Sequence, residues 1–258
     1  MERITSKQNQ LIKDTKRLIA SSRERAQAGL FVLEGARLCL DVLNSVYTLH
    51  TLLLTDRAYE KLGVRAEALV KAAERAYLIS DEVAEKLSDT ENSQGVFAVC
   101  ETKNEETVVR GEKVLALDNV QDPANLGAVI RTAEALGINT LLVYRGCDVF
   151  HPKALRASMG GVLRVNLVTT DNLTETLLTL KPQYRLYATV PDEAAVSISE
   201  VDFAHPSVCV IGNEANGVEQ AVLDVCDARI TIPMRGRAES LNASVASAIT
   251  MWEMLRVR

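Results

Sequence analysis

Residues 114–144 read VLALDNVQDPANLGAVIRTAEALGINTLLVY. The runs VLALD (114–118) and TLLVY (140–144) are rich in Leu and Val, and short apolar runs of that kind suit strands of a parallel sheet covered on both faces. Between them Leu126, Val129, Ile130, Ala133 and Leu136 fall on one stripe at helical spacing. Asp122 suits the N-cap of that helix and Pro123 its first position, where a missing N–H costs nothing.

The alternation continues to the C-terminus. RVNLV (164–168), RLYATV (185–190), SVCVIG (207–212) and ARITIP (228–233) read as further strands, with helices at 124–136, about 152–159, 171–180, 218–225 and 241–256. Such a pattern predicts an α/β, doubly wound, mostly parallel sheet. Upstream, FVLEG (31–35), TLLLT (51–55) and GVFAVC (95–100) read as strands and 36–45, 65–76 and 81–88 as helices, which makes a smaller N-terminal α/β domain. The polar stretch ETKNEET (101–107) reads as a linker. The expected division is therefore 1–103, a linker at 104–112, and 113–258.

Bulk properties narrow the class. With 258 residues, 47% hydrophobic and 24% charged, the chain can bury a core without disulfides or metals. No apolar stretch reaches the roughly 20 residues that span a bilayer, and MERITSKQNQLIKDTKR lacks the apolar centre of a signal peptide, so a cytoplasmic protein is expected. Cys39, Cys100, Cys147, Cys209 and Cys226 are scattered and read as buried thiols, and the isolated His50, His151 and His205 give no metal-ligand spacing, so no metal is expected. Net charge is −5, yet residues 1–37 hold eight basic and four acidic side chains. That end reads equally as a solvated amphipathic helix or as a phosphate-contacting surface.

Three loops that follow strands carry the candidate chemistry. In the first, Arg131 lies four residues after Gly127, and helical side chains lean toward the N-terminus. Its guanidinium is thus expected back at the helix start, beside Asn125, as a phosphate or substrate site; the alternative is a capped surface helix with an exposed arginine. The second, Gly212-Asn-Glu-Ala-Asn-Gly217, supplies residues tolerant of positive φ at the carboxyl edge of the sheet, where open α/β sheets bind ligands. It matches neither a Walker A loop nor GxGxxG. The third runs from Ile232 to Ile249. Ser240 is the expected cap of a helix whose Leu241, Val245, Ile249, Trp252 and Leu255 form an apolar face, while Arg235 and Arg237 stay in the loop.

Taken together, NxxDPxNxGxxxRTAxxxG (119–137), IGNExxG (211–217) and IPMxGxxESLNxSxAxAI (232–249) resemble the three signature motifs of the SpoU-type (TrmH family) RNA ribose methyltransferases of the SPOUT superfamily. The resemblance covers about 113–258. It implies S-adenosylmethionine as cofactor, a deep trefoil knot in the C-terminal domain and a homodimer. Gly212, Ile232 and Leu241 would hold the cofactor through their backbones, with Ala188, Thr189, Asn213, Glu214, Gly217, Pro233 and Met234 around it. Asn125, Arg131, Glu214, Ser240 and Asn242 fall on catalytic positions. The N-terminal part looks like a ribosomal-protein (L30e-like) RNA-binding domain, which favours ribosomal RNA over transfer RNA because compact members without it act on transfer RNA.

A ribose 2′-hydroxyl must lose its proton on methylation. The resemblance puts Arg131 at a position favoured for the base, but a guanidinium with a pKa above about 12 is a poor one. A grip on the adjacent phosphate fits its chemistry better, with the proton leaving to Glu214, Ser240 or water. Two other readings stand beside this one. An RNA-binding module without turnover need not keep Asn125, Arg131 and Asn242. A dinucleotide-dependent oxidoreductase would need the missing GxGxxG and its acidic partner.

Overall fold

The computed structural model of the chain describes residues 1–102 and 109–256. The expected linker falls largely on 103–108, outside the described residues. Contacts divide the chain into two compact units, Met1–Asn104 with Phe150–Leu163, and Glu105–Val149 with Arg164–Arg258. Residues 150–163, which sequence position alone assigns to the C-terminal domain, therefore pack with the first unit.

In the first unit the chain forms β1 (Glu2–Ile4), α1 (Gln10–Ala20), α2 (Ser22–Ala28), β2 (Leu30–Glu34), α3 (Ala36–Asp41), β3 (Leu49–Thr55), α4 (Asp56–Leu62), α5 (Val64–Ala72), β4 (Arg75–Ile79), α6 (Asp81–Leu87) and β5 (Val96–Glu101). The sheet order is β1-β4-β3-β5-β2. β1, β4 and β3 run parallel, and β5 is antiparallel to both β3 and β2. Ile12, Leu18 and Ile19 of α1 join Val83, Ala84 and Leu87 of α6 over Leu53, Phe97 and Val99 of the sheet. Phe150 stacks on Phe31, with ring centroids 4.2 Å apart.

The second unit begins with β6 (Lys113–Asp118), α7 (Pro123–Leu136) and β7 (Thr140–Tyr144). After α8 (Pro152–Ala157), which belongs to the first unit, it continues with β8 (Asn166–Thr170), α9 (Leu173–Leu180), β9 (Arg185–Thr189), β10 (Val196–Ser197), β11 (Ser207–Ile211), α10 (Gln220–Val225), β12 (Ala228–Thr231) and α11 (Ala243–Leu255). Its seven strands, ordered β10-β12-β9-β11-β6-β7-β8, are parallel in every pair. β7 and β11 are buried along their whole length, as apolar runs covered on both faces should be. Val114, Ala116, Val208 and Val210 pack against Leu173, Leu177 and Val222 of α9 and α10. The alternate residues, among them Leu115, Leu117 and Ile211, point to the other face, where α11 packs on α7, β11 and β6.

The helix face predicted for α11 needs correction. Ala243, Ser247, Thr250, Met251 and Met254 are the buried residues, whereas Val245 and Trp252 are 47% and 60% exposed. The helix is apolar nearly all round, and its smaller side chains let it approach its neighbours; the buried Ser247 hydroxyl is satisfied by donating to the Ala243 carbonyl at 2.7 Å. Cys39, Cys100 and Cys209 are buried thiols, and burial pushes Cys100 up to about 12. No helix among the described residues is long and apolar enough to cross a membrane.

Candidate active site

Because every strand of the second sheet runs the same way, the loops after β6, β11 and β12 leave from one edge. Each is fixed by its own local bonds. After β6, Asn119 turns the chain at φ +63° and its N–H donates to the Tyr144 carbonyl at 2.8 Å. Asp122 then caps α7, accepting from the Ala124 N–H at 2.8 Å, with Pro123 in the first turn, as the sequence implies. Gly146 approaches this loop so closely that a Cβ there would sit 2.4 Å from the Val120 carbonyl oxygen.

The loop after β11 closes on itself. Asn213 and Gly217 exchange both backbone hydrogen bonds, at 3.0 and 2.9 Å, and Gly217 sits at φ +69°. The Asn213 side chain accepts from the Ala215 and Asn216 N–H groups and donates to the Asn119 carbonyl at 2.8 Å, which joins the second loop to the first. Closure is tight enough that a Cβ on Gly212 would lie 2.2 Å from the Gly217 carbonyl carbon. At the loop's far end the buried Asp118 carboxylate accepts from the Glu219 N–H at 2.7 Å. Burial raises the Asp118 pKa, against the opposing pull of that hydrogen bond. Sequence reasoning missed Asp118, and its signal is a lone carboxylate ending an otherwise apolar strand.

After β12 the cap of α11 is Asn242 and not Ser240. Its Oδ1 accepts from the Ser244 N–H at 2.9 Å, the Ser244 hydroxyl at 2.6 Å and the Val245 N–H at 3.4 Å. Serine and asparagine cap about equally well, so local preference could not choose between them. A distant partner does. Asn242 Nδ2 donates to Asn125 Oδ1 at 3.0 Å, and Asn125 Nδ2 donates in turn to Glu214 Oε1 at 2.9 Å.

That chain joins one residue from each of the three motifs. Its polarity is self-consistent, because Glu214 can only accept when ionised, so Asn125 must present its amide nitrogen and then accept from Asn242. Aligned hydrogen bonds of this kind reinforce one another. The result is a carboxylate held in a fixed position by a helix start and two amides.

The remaining predicted residues fall into two groups. Around the edge lie Ala188, buried on β9, and Thr189, whose hydroxyl donates to the Val210 carbonyl at 2.9 Å. Gly212, Ile232, Met234 and Leu241 are half-buried and Pro233 is exposed. Among the described residues the backbone N–H groups of Gly212, Ile232 and Leu241 have no acceptor. Arg131 and Ser240 stand apart. Both are exposed, and neither side chain forms a hydrogen bond or ion pair with a described residue.

A parallel α/β sheet with tightly closed loops, a hydrogen-bonded carboxylate and unpartnered backbone donors at its carboxyl edge is the arrangement of a ligand-binding domain. The profile of the SpoU rRNA Methylase family matches residues 112–252, and that of the MRM3-like substrate binding domain matches residues 9–98. The chain belongs to the SpoU methylase family. It is 32% identical to the 23S rRNA (guanosine(2553)-2'-O)-methyltransferase RlmP of Bacillus subtilis (strain 168), over 98% of this chain and 99% of that one. The crystal structure of an AdoMet-bound rRNA methyltransferase from Sinorhizobium meliloti superposes with a TM-score of 0.87 at 27% identity, over 98% of this chain and 97% of that one. A TrmH/SpoU tRNA modifying enzyme from A. aeolicus is 32% identical with a TM-score of 0.53, and it covers only 56% of this chain and 74% of its own.

Proposed function

We propose that this chain is an S-adenosylmethionine-dependent methyltransferase that methylates a ribose 2′-hydroxyl of structured RNA, ribosomal RNA in preference to transfer RNA. The observation that carries the reading is the hydrogen-bonded chain Asn242–Asn125–Glu214, which unites three motifs far apart in sequence at one sheet edge. The Bacillus subtilis and Sinorhizobium meliloti relatives, each matched over 98% of this chain, are named as rRNA methyltransferases, whereas the tRNA-modifying enzyme matches little more than half of it. The cytoplasm is the compartment that a ribosomal RNA substrate favours.

The residues present fit the cofactor. The N–H groups of Gly212, Ile232 and Leu241 are unpartnered donors for its polar edges, and Gly212 has no side chain because its loop closes too tightly to hold one. Ala188, Thr189, Asn213, Gly217, Pro233 and Met234 complete the surroundings. When bound, S-adenosylmethionine supplies a methyl group on a good leaving group, so alignment supplies much of the remaining acceleration. Glu214, oriented by Asn125 and Asn242, takes the 2′-hydroxyl proton. Arg131, exposed and unpaired among the described residues, grips a neighbouring phosphate, and Ser240 offers a hydroxyl to the ribose.

Two further features belong to this reading. The apolar outward face of α11 forms a homodimer interface, supported by the exposure of Val245 and Trp252. The segment between β12 and α11 threads the trefoil knot, supported by the return of α11 across β11 and β6 to α7 although β12 lies three strands from β6. The first unit takes the L30e-like role of binding substrate.

Mass mapping of ribosomal RNA after incubation with the chain and S-adenosylmethionine should show a new 2′-O-methyl group. Cofactor binding without transfer to ribosomal or transfer RNA would leave an RNA-binding module without turnover. In the same assay Arg131→Lys should raise KM for RNA and largely keep kcat. The reverse pattern would make Arg131 the base.

A further inference from the structure

The cationic N-terminal stretch is largely consumed by the protein itself. Arg3 makes two hydrogen bonds to Asp56, at 2.6 and 2.8 Å, and Arg17 pairs with Asp14. The buried Arg25 donates to the Leu18 and Ile19 carbonyls, and Lys16 to those of Leu87 and Ser88. Lys7 lies 4.0 Å from Glu82. Five of the eight basic residues in 1–37 are held in this way.

Arg37, the last cation of that stretch, joins three later ones that are uncommitted. Arg37 at the start of α3, Arg57 and Lys61 on α4 and Arg65 on α5 line one cleft of about 770 Å³ in the first unit, with Asp41 as the only carboxylate among the described residues of its lining. All four cations are exposed, and none forms an ion pair or side-chain hydrogen bond among the described residues. Part of the wall is fixed, because Gln94 Oε1 accepts from the Ala36 N–H at 2.9 Å and both residues line the cleft. Gly35, just before Ala36, turns the chain at φ +98°. Like charges gathered around a rigid concavity repel one another unless an anion joins them.

We propose that this cleft takes the phosphates of a bent or looped, non-helical stretch of the RNA substrate. The proposal rests on the RNA methyltransferase reading and deepens it by naming the side chains of the first unit that meet the substrate's phosphates. Three of the four cations are arginines, whose planar forks match phosphate oxygens in pairs. A concave site suits crowded phosphates at a backbone bend better than the regular cylinder of an A-form helix. Among the described residues no aromatic ring lines the cleft, so it lacks both the stacking platform of a base reader and the aromatic anchors of a protein interface. The cleft should therefore position the RNA without reading its sequence.

The test uses the full chain, a 23S rRNA transcript and a range of salt concentrations. Removing one phosphate-binding cation should reduce the slope of log affinity against log salt by about 1. Arg57→Ala with Lys61→Ala should flatten that slope by about 2, raise KM for RNA about tenfold or more and leave S-adenosylmethionine affinity intact. Lys61→Arg, which keeps the charge, should hold the wild-type slope. Arg3→Ala and Lys16→Ala, whose charges are committed internally, should leave slope and KM unchanged. A wild-type salt slope and KM in the double variant would overturn the proposal, whether the cleft then serves a protein or nothing. If the wild type binds the transcript and the double variant does not, but neither transfers a methyl group, the cleft stands while the methyltransferase reading falls.

Discussion

The loop edge of the parallel sheet and the cationic cleft of the first unit are both polar, yet they handle polarity in opposite ways. At the edge, Asn213, Asn125, Asn242 and Asp118 bond to one another's loops, so their side chains are committed before any ligand arrives. In the cleft, four cations are left uncommitted. Committed groups hold atoms in place, which is what alignment of a reacting hydroxyl requires. Uncommitted groups keep their interaction energy for a partner. Substitutions at the edge should therefore disturb structure and turnover, and those on docking surfaces only association.

The largest effect is expected at Gly212. A methyl group there would lie 2.2 Å from the Gly217 carbonyl carbon, a backbone atom that cannot swing aside as a flexible side chain would. Gly212→Ala should destabilise the fold by about 1–3 kcal/mol through overpacking and abolish S-adenosylmethionine binding, as thermal melts and titration calorimetry would show. Normal binding in a stable variant would mean that the loop relaxes freely, and the contrast with the cleft would collapse.

Next comes Asn242, which both caps α11 and orients Asn125. Asn242→Asp keeps an equally good cap but removes the Nδ2 donor. Asn125 would then turn its amide toward the new carboxylate and present its oxygen to Glu214. Turnover should fall about 100-fold, the scale of a misplacement near 1 Å, with little change in Tm. Asn242→Ala adds the loss of the cap, about 1 kcal/mol. Equal kcat in wild type and Asn242→Asp would reduce the hydrogen-bonded chain to a structural feature.

The same division explains what could be read from the sequence. The strands of the second unit were legible because both faces are covered and their residues are apolar in continuous runs. β4 (RAYLI), half-exposed along most of its length, and the two- and three-residue strands β10 and β1 carry no such run. β8 was expected at 164–168 and lies two residues later, since its sheet-edge position tolerates half-buried Thr169 and Thr170. Within the site, the Asp122 cap depended on its immediate neighbours and was legible. The Asn242 cap depended on Asn125, 117 residues away, and local preference pointed to Ser240 instead. The motif resemblance brought Asn125, Glu214 and Asn242 into one set, but their connection is a property of the folded loops. The cleft was invisible because its cations come from three helices and only Arg37 lies in the more conspicuous basic stretch at the N-terminus, most of which is held by its own surroundings.

The smallest effect on the isolated chain should come from Trp252, which the proposed homodimer would bury and which lies in the unit that carries the committed edge. Its side chain is 60% exposed, while the opposite side of α11 holds the helix through Ala243, Ser247, Met251 and Met254. Removing it leaves no cavity, so Trp252→Glu should change stability by no more than about 0.5 kcal/mol, the ordinary range for a surface position. A tryptophan at the centre of an interface is worth about 2 kcal/mol or more on truncation, which corresponds to about a 30-fold weaker dimer. Sedimentation over a range of concentrations would register that shift. A variant that unfolds would place Trp252 with the committed residues, and one that self-associates like the wild type would remove the outward face of α11 from the dimer interface.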